Sequence, residues 1–543
     1  MSRTFQNPII KGFYPDPSAI RVGDDFYLVT SSFSYYPGIP IFHSRDLVHW
    51  EQIGHVIHRP EQVQLGPDSF AGGLFAPTIR YHNGTFYVIV QNASMGDSVA
   101  GTNFILTALD PRGPWSDPIY VEGGGGDPSL FWDDDGRVYI HYSNLKMADR
   151  GVNDLGIYQA EIDVTTGKLL SAPVYLWRGA LENAYSPEAP HIYKYNGYYY
   201  LLISEGGTEH FHGVTVARSS SINGPYDCYL GNPILTHHHL KKLYPICNVG
   251  HGELIQLSDD SWYMVVLATR LYGGYHKNLG RETFLVPVIW EDGWPVASPD
   301  TGKVEWEYPA PNLPECSFPA KSGFDDFNSS ELDLRWNFIG VPTNNVYRIA
   351  DSRLYLRMIA EPICPERPPF GGPPMPGRGR PPIEKKALSF LARRQEDPSF
   401  IAETKLSVRV AGTGDSAGLC MMQNNYTQIR LELSGANGAP VFRVVKVTMK
   451  DMFSGYTIET LGEIPAEGTE FILRIRADEQ DLSFYAGPAS GELVPVAEHI
   501  FGGFMGSESC GGYLGTYIGM FASGNRIESD REAAFDWFHY SPF

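Results

Sequence analysis

Five stretches of the chain share one pattern: DPSAIRVGDDFYLV at 16–29, APTIRYHNGTFYVI at 76–89, DPSLFWDDDGRVYI at 127–140, EAPHIYKYNGYYYL at 188–201 and HGELIQLSDDSWYM at 251–264. Each reads as a strand, a tight polar turn and an aromatic strand, and the starts lie 60, 51, 61 and 63 residues apart. A period of that length holds about four short strands, the content of one small antiparallel sheet in a radial array. The repeat therefore predicts a five-bladed β-propeller over residues 1–317. Equivalent residues of a propeller are related by rotation about its axis, and the start of each innermost strand faces that axis. Asp16, Ala76, Asp127, Glu188 and His251 are thus expected to form a ring.

Three carboxylates around one channel mouth raise one another's pKa and lose hydration. An arrangement that costly marks functional sites. Turn formation is the plainer alternative, since Asp before Pro hydrogen-bonds its own backbone. It would account for Asp16 or Asp127 singly, but not for Glu188 or for acids at three equivalent positions of five.

Working outward, the repeat is lost after a proline-rich stretch, and residues 318–543 take on a different texture. Runs such as FIAETKLSVRV and EFILRIRADEQDLSFYAG alternate apolar and polar residues, which predicts a β-sandwich of two antiparallel sheets. The fold class is all-β throughout. Within this second part, EPICPERPPFGGPPMPGRGRPPIEKK at 361–386 holds too much proline and glycine for a packed sheet and is expected to be a loop.

Composition narrows the function. Sixty-two acidic against 42 basic residues give a formal charge of −20, which disfavours nucleic acid and anionic membrane surfaces and suits a small neutral ligand. Six cysteines without C-x-x-C spacing suggest neither a disulfide framework nor a zinc knuckle. The N-terminal MSRTFQNPIIKG lacks the apolar core of a secretory signal, so a cytoplasmic protein is expected, or a secreted one if a signal has been removed. No apolar run approaches the length of a membrane span. Whether the chain forms a homo-oligomer stays open.

Hydrolysis of a glycosidic bond needs one carboxylic acid to protonate the leaving oxygen and one carboxylate to drive water, or itself, onto the anomeric carbon. The ring supplies both. Acids facing each other across a channel favour the wider spacing, roughly 6.5–9.5 Å, that admits a water and gives inversion.

The motifs NPIIKGFYPDPSAIRVGDDFYLV, GGLFAPTIRY, GGGGDPSLFWDDDG, YSPEAPHIYKYNGYYYLLISEGGT, NVGHGEL and LGRETFLVPVIWEDGWP, in this order, resemble glycoside hydrolase family 43. The resemblance is to its β-xylosidase and α-L-arabinofuranosidase branch, and it covers essentially the whole chain. It implies a C-terminal sandwich of jelly-roll, concanavalin-like type. It also implies that Asp16 is the general base, that Glu188 is the general acid, and that Asp127 raises the acid's pKa and holds its orientation.

Arg281 of LGRET matches a sugar-contacting arginine. Phe33 and Phe75 match aromatic residues that line the terminal-sugar pocket, the second often Trp in relatives. Thr208 of SEGGT, a strand after the acid, is expected to contribute a hydroxyl near the aglycone side, with turn formation as the alternative. Tyr517 matches a sandwich residue that closes the pocket, against core packing. His251 matches a channel histidine, in some relatives beside a calcium or a water. No cofactor is required on this reading, and the run His237–His239 lacks ligand spacing.

The expected activity is exo-acting, inverting release of terminal β-D-xylose from xylo-oligosaccharides, with α-L-arabinofuranosidase activity beside it. The rivals are an arabinofuranosidase that debranches arabinoxylan and, in a different class, a non-catalytic carbohydrate-binding propeller.

Overall fold

The computed structural model describes residues 3–66, 72–93, 102–144, 155–181, 185–342, 345–365, 387–410, 414–435, 439–451, 455–511 and 513–543. Most of the proline-rich run, residues 366–386, lies outside them.

Each repeat folds as one antiparallel sheet. The first blade runs, from the axis outward, through Ser18–Val22, Asp25–Val29, Gly38–Ser44 and Glu51–Ile57. The inner strands of the other blades are Leu74–His82, Gly126–Trp132, Glu188–Tyr195 and Ile246–Gln256, each followed by its aromatic partner strand. The turns between them are written in the sequence. Asn83-Gly84 and Asn196-Gly197 both have positive φ at their two residues, the conformation a two-residue hairpin requires.

Inner strands touch in cyclic order, and Ile246–Gln256 of the fifth blade packs on Ser18–Val22 of the first. The N-terminal segment seals this closure. Thr4–Gln6 pairs with Glu307–Pro309, Ile10 bridges to Thr283, and the Asn7 amide exchanges hydrogen bonds with the Leu285 backbone in the fifth blade at 2.9 Å each.

A single ion pair fastens the centre. Arg80 Nη1 of the second blade donates to Glu253 Oε1 of the fifth at 2.5 Å, and its Nη2 lies 3.0 Å from His191 Nδ1 of the fourth. Its Nε donates to Leu130 O of the third at 3.1 Å, while the Ala19 amide of the first donates to Glu253 Oε2 at 3.0 Å. All five blades meet at these two side chains.

The axial ring corrects the sequence alignment by one residue in the fourth blade. The inner strands of the second to fifth blades break register at the same place. Phe75 pairs with Gln91 and Thr78 with Ile89; Gly126 with Ser143 and Ser129 with His141; Glu188 with Ser204 and His191 with Leu202; Gly250 with Leu267 and Glu253 with Val265. Glu188 is therefore equivalent to Phe75, and the ring is Asp16, Ala76, Asp127, Ala189 and His251. Their φ values, 41–54°, are all left-handed, a conformation that side chains other than glycine rarely adopt. The turn spacing agrees, because each Asn-Gly pair begins seven residues after its ring alanine.

The second part is a sandwich of two sheets, each eight-stranded among the described residues. Strand Phe400–Ser407 buries every second side chain, as its alternation requires. The two parts are not separate in space. Tyr35–Tyr36, from the first blade's second-to-third strand connection, pairs with Asn337–Ile339 and becomes the edge of a sandwich sheet.

Because Glu253 is 2% exposed and Arg80 is 15% exposed at the side chain, Glu253→Ala leaves a buried cation without its partner. We expect a loss of about 3–5 kcal/mol, read as a lowered denaturation midpoint.

Candidate active site

The ring acids lie at the mouth of the channel, under a roof supplied by the sandwich. Asp16 is 5% exposed and fully engaged. Arg281 Nη1 donates to its Oδ1 at 2.6 Å, Ser31 Oγ donates to its Oδ2 at 2.6 Å, and His251 Nδ1 stands 3.7 Å from Oδ1. Burial alone would raise its pKa, but Arg281, His251 and the Ser31 hydroxyl outweigh it and hold the carboxyl below its usual range. Asp16 is ionised.

Glu188 lies in the opposite condition. Its carboxyl is 18% exposed, and among the described residues nothing hydrogen-bonds it. Burial, then the charges of Asp127 and Asp16, push its pKa well above the ordinary carboxylate value, with Arg281 opposing only in part. Asp127, which accepts a hydrogen bond from the Ala189 amide, is raised as well by burial and by Asp16, against the pull of His251. The site thus sets a carboxyl whose surroundings favour ionisation, Asp16, against one whose surroundings favour the protonated form, Glu188, the opposed environments that acid–base chemistry needs.

Around these acids the structure gathers most of the other expected residues. Thr208 Oγ1 accepts from Arg281 Nη1 at 3.2 Å. The Phe33 ring lies 4.5 Å from Phe75 and 5.4 Å from Phe13, with the Arg281 guanidinium 5.7 Å over its face. The His251 amide is fixed by Ser204 Oγ at 2.6 Å. His237 serves structure, its ring bridging Ile246 O and the Val304 amide at 2.7 and 2.8 Å. Among the described residues no group of three or more His, Cys, Asp or Glu side chains converges as a metal site.

Family comparison agrees with this geometry. The model of glycosyl hydrolases family 43 matches residues 5–295, and that of the beta-xylosidase C-terminal concanavalin A-like domain matches residues 324–541. The chain belongs to glycosyl hydrolase family 43. This family-43 enzyme is 40% identical to a xylosidase/arabinosidase of Butyrivibrio fibrisolvens, with 98% of each chain covered. It is 38% identical to a non-reducing end alpha-L-arabinofuranosidase of Bacteroides ovatus, over 99% of this chain and 95% of that one. Its fold superposes on a xylan beta-1,4-xylosidase of Bacillus halodurans C-125 with a TM-score of 0.89 at 31% identity, covering 99% and 100% of the two chains.

One expected pocket residue is displaced. Tyr517 is wholly buried, stacked on Tyr35 at 3.6 Å, with the Arg394 guanidinium 5.2 Å over its ring. It cements the seam between the two parts and does not line the pocket. The lining residue is Tyr513, four positions earlier and 50% exposed, whose carbonyl accepts from Arg281 Nη2 at 3.3 Å. Burial first, then the charge of Glu188, raises its phenol pKa. Tyr517 begins the strand Tyr517–Ser523 and Tyr513 lies on the turn leading into it, so strand pairing buries the first and frees the second. The flanking glycines of GGYLG are the sequence signal that marks Tyr513 as a loop aromatic.

Two outcomes follow. Tyr517→Ala should cost about 3–5 kcal/mol of stability, whereas Tyr513→Ala should stay within roughly 0.5 kcal/mol and instead raise KM; melting curves beside steady-state kinetics separate them. Glu188 carries a native pKa above its unfolded value, so its contribution to stability declines as pH rises through that interval. Glu188→Gln should therefore melt above the wild type at neutral pH and lose that advantage near roughly pH 4.

Proposed function

We propose that this enzyme removes single terminal β-D-xylose units from xylo-oligosaccharides with inversion, and releases α-L-arabinofuranose at the same site. The observation that carries the reading is the contrast between Asp16, whose two oxygens accept from Arg281 and Ser31, and Glu188, whose carboxyl has no hydrogen bond among the described residues and is pushed toward its protonated form. Asp16 takes a proton from water, whose oxygen forms the new bond to the anomeric carbon. As the C–O bond to the leaving sugar breaks, the Glu188 proton passes to the departing oxygen. Water is consumed, and the two carboxyl groups exchange protonation states until solvent resets them.

Asp127, beside Glu188, raises the acid's pKa and favours its protonated form. Arg281 orders Asp16 and Thr208 at once. The Phe33 and Phe75 rings offer apolar faces to the C–H groups of one sugar, and Tyr513 roofs the space, which suits removal of one end unit at a time. The Butyrivibrio relative, named for both activities, supports the dual specificity. A mainly arabinose-releasing enzyme is the second reading, favoured by Phe75: a phenyl wall leaves more room beside the sugar than an indole.

Glu188→Gln and Asp16→Asn should each lower turnover of xylobiose by at least about 100-fold while preserving the fold. Proton NMR of the first product from a β-xyloside should show α-xylose. Initial β-xylose, or near-normal rates in both variants, would sink the mechanism. Parallel rates on p-nitrophenyl β-D-xylopyranoside, p-nitrophenyl α-L-arabinofuranoside and a branched arabinoxylan oligosaccharide decide between the two sugars: arabinose release from the branched substrate alone selects the second reading.

A further inference from the structure

Beside Glu188 lies a histidine that the acid–base reading leaves unused. His212 opens onto the strand Gly213–Ser219 of the fourth blade and is 1% exposed. Its Nδ1 lies 3.1 Å from the carbonyl oxygen of Asn248. A carbonyl can only accept, so Nδ1 carries the hydrogen and Nε2 is left as a bare lone pair. That Nε2 is buried, has no hydrogen-bond partner and stands 4.0 Å from Glu188 Oε1.

The tautomer is held from behind by a chain of contacts. Asn248 Nδ2 donates to Glu209 Oε2 at 3.3 Å, and the same oxygen accepts from the ammonium of Lys277, whose side chain is 1% exposed. Packing fixes the ring as well. A Cβ placed on Gly250 would fall 2.3–2.4 Å from three imidazole atoms, so only glycine at 250 leaves the ring its place. Gly250 occupies, in the fifth blade, the position that Glu188 occupies in the fourth. The charged groups facing His212 are His251, Arg281 and Asp16, besides Glu188. Burial, with His251 and Arg281, drives its pKa down to about 3 against the raising pull of Asn248 and Asp16, so the ring is neutral in the working enzyme.

We propose that His212 is a positioning residue for the general acid: in the free enzyme its Nε2 accepts the Glu188 O–H and keeps that proton on the carboxyl until the glycosidic oxygen of the substrate takes over the same hydrogen bond. The inference rests on Glu188 being the acid. The 4.0 Å separation is within reach of a rotation of the Glu188 side chain, whose carboxyl has no hydrogen bond among the described residues. A lone pair stabilises only the protonated carboxyl. Once the Glu188 O–H bond breaks and the proton joins the leaving oxygen, carboxylate and lone pair face each other and repel. The carboxylate then takes a proton back from solvent at the open mouth, while Asp16 releases the one it gained from water.

His212→Phe keeps the ring and removes the acceptor. Xylobiose, whose sugar leaving group needs the proton, should lose roughly tenfold to a hundredfold in kcat. 2,4-Dinitrophenyl β-D-xyloside, whose leaving group departs unprotonated, should fall far less. The basic limb of kcat/KM on xylobiose should move to lower pH, because Glu188 gives up its proton sooner. Equal losses on both substrates, or an unmoved limb, overturn the proposal.

Glu188→Gln assayed beside it tells the two failures apart. If that variant also strikes both substrates equally, the acid assignment has failed rather than the role of His212. Should His212→Phe not fold, nitrogen NMR of the wild-type protein labelled at histidine gives the answer. One buried imidazole with its hydrogen on Nδ1 across roughly pH 5–8, perturbed by Glu188→Gln, supports the proposal. A hydrogen on Nε2 of His212 overturns it.

Discussion

The catalytic mouth depends on the Arg80–Glu253 pair beneath it. Blades of a propeller are separate sheets, and ring closure leaves their inner ends free to slide along the axis. Arg80 and Glu253 remove that freedom, because their few donor and acceptor atoms reach the second, third, fourth and fifth blades and the amide of Ala19 in the first. Glu253 is buried and Arg80 largely so, and the cost of their desolvation is offset by hydrogen bonds to backbone and side-chain groups of the surrounding blades. Glu253 sits two positions after His251 on the same strand. A shift of one blade at this level would move a ring residue at the next.

Above that fastening, the site is organised by asymmetry. Arg281 binds one oxygen of Asp16 and Ser31 binds the other, while among the described residues the Glu188 carboxyl has no such partner. Three acids near each other cannot all ionise cheaply. Placing Arg281 against Asp16 makes ionisation least costly there. The left-handed backbone at all five ring positions is the local strain this placement carries, since a regular strand would turn those side chains away from the axis.

The sandwich is part of the same machine. Its edge is completed by Tyr35–Tyr36 from the first blade, and the Tyr35–Tyr517 stack, with Arg394 beside it, makes the seam rigid. From that seam the turn carrying Tyr513 is set down over Arg281. The second part of the chain therefore reaches the ring through the Tyr513 carbonyl on Arg281, although Asp16, Asp127 and Glu188 all belong to the first.

By itself the sequence determined the propeller, because a repeat with one blade's worth of strands and Asn-Gly hairpin turns has few other ways to bury its aromatic strands. It also pointed to Asp16, Asp127 and Glu188, whose types are costly to gather anywhere but a site, and the family resemblance added Arg281. It misplaced Glu188 by one position in the ring, since matching acid to acid hides a break in strand register that only pairing reveals. It took Tyr517 for the pocket tyrosine, since burial of one aromatic and exposure of another four residues away depends on which strand the chain has joined. His212 gave no signal at all: its lone pair matters only because Asn248 and Gly250, distant in sequence, fix its tautomer and its place. Residue types were legible in the chain, whereas protonation and orientation were decided by neighbours that the fold alone supplies.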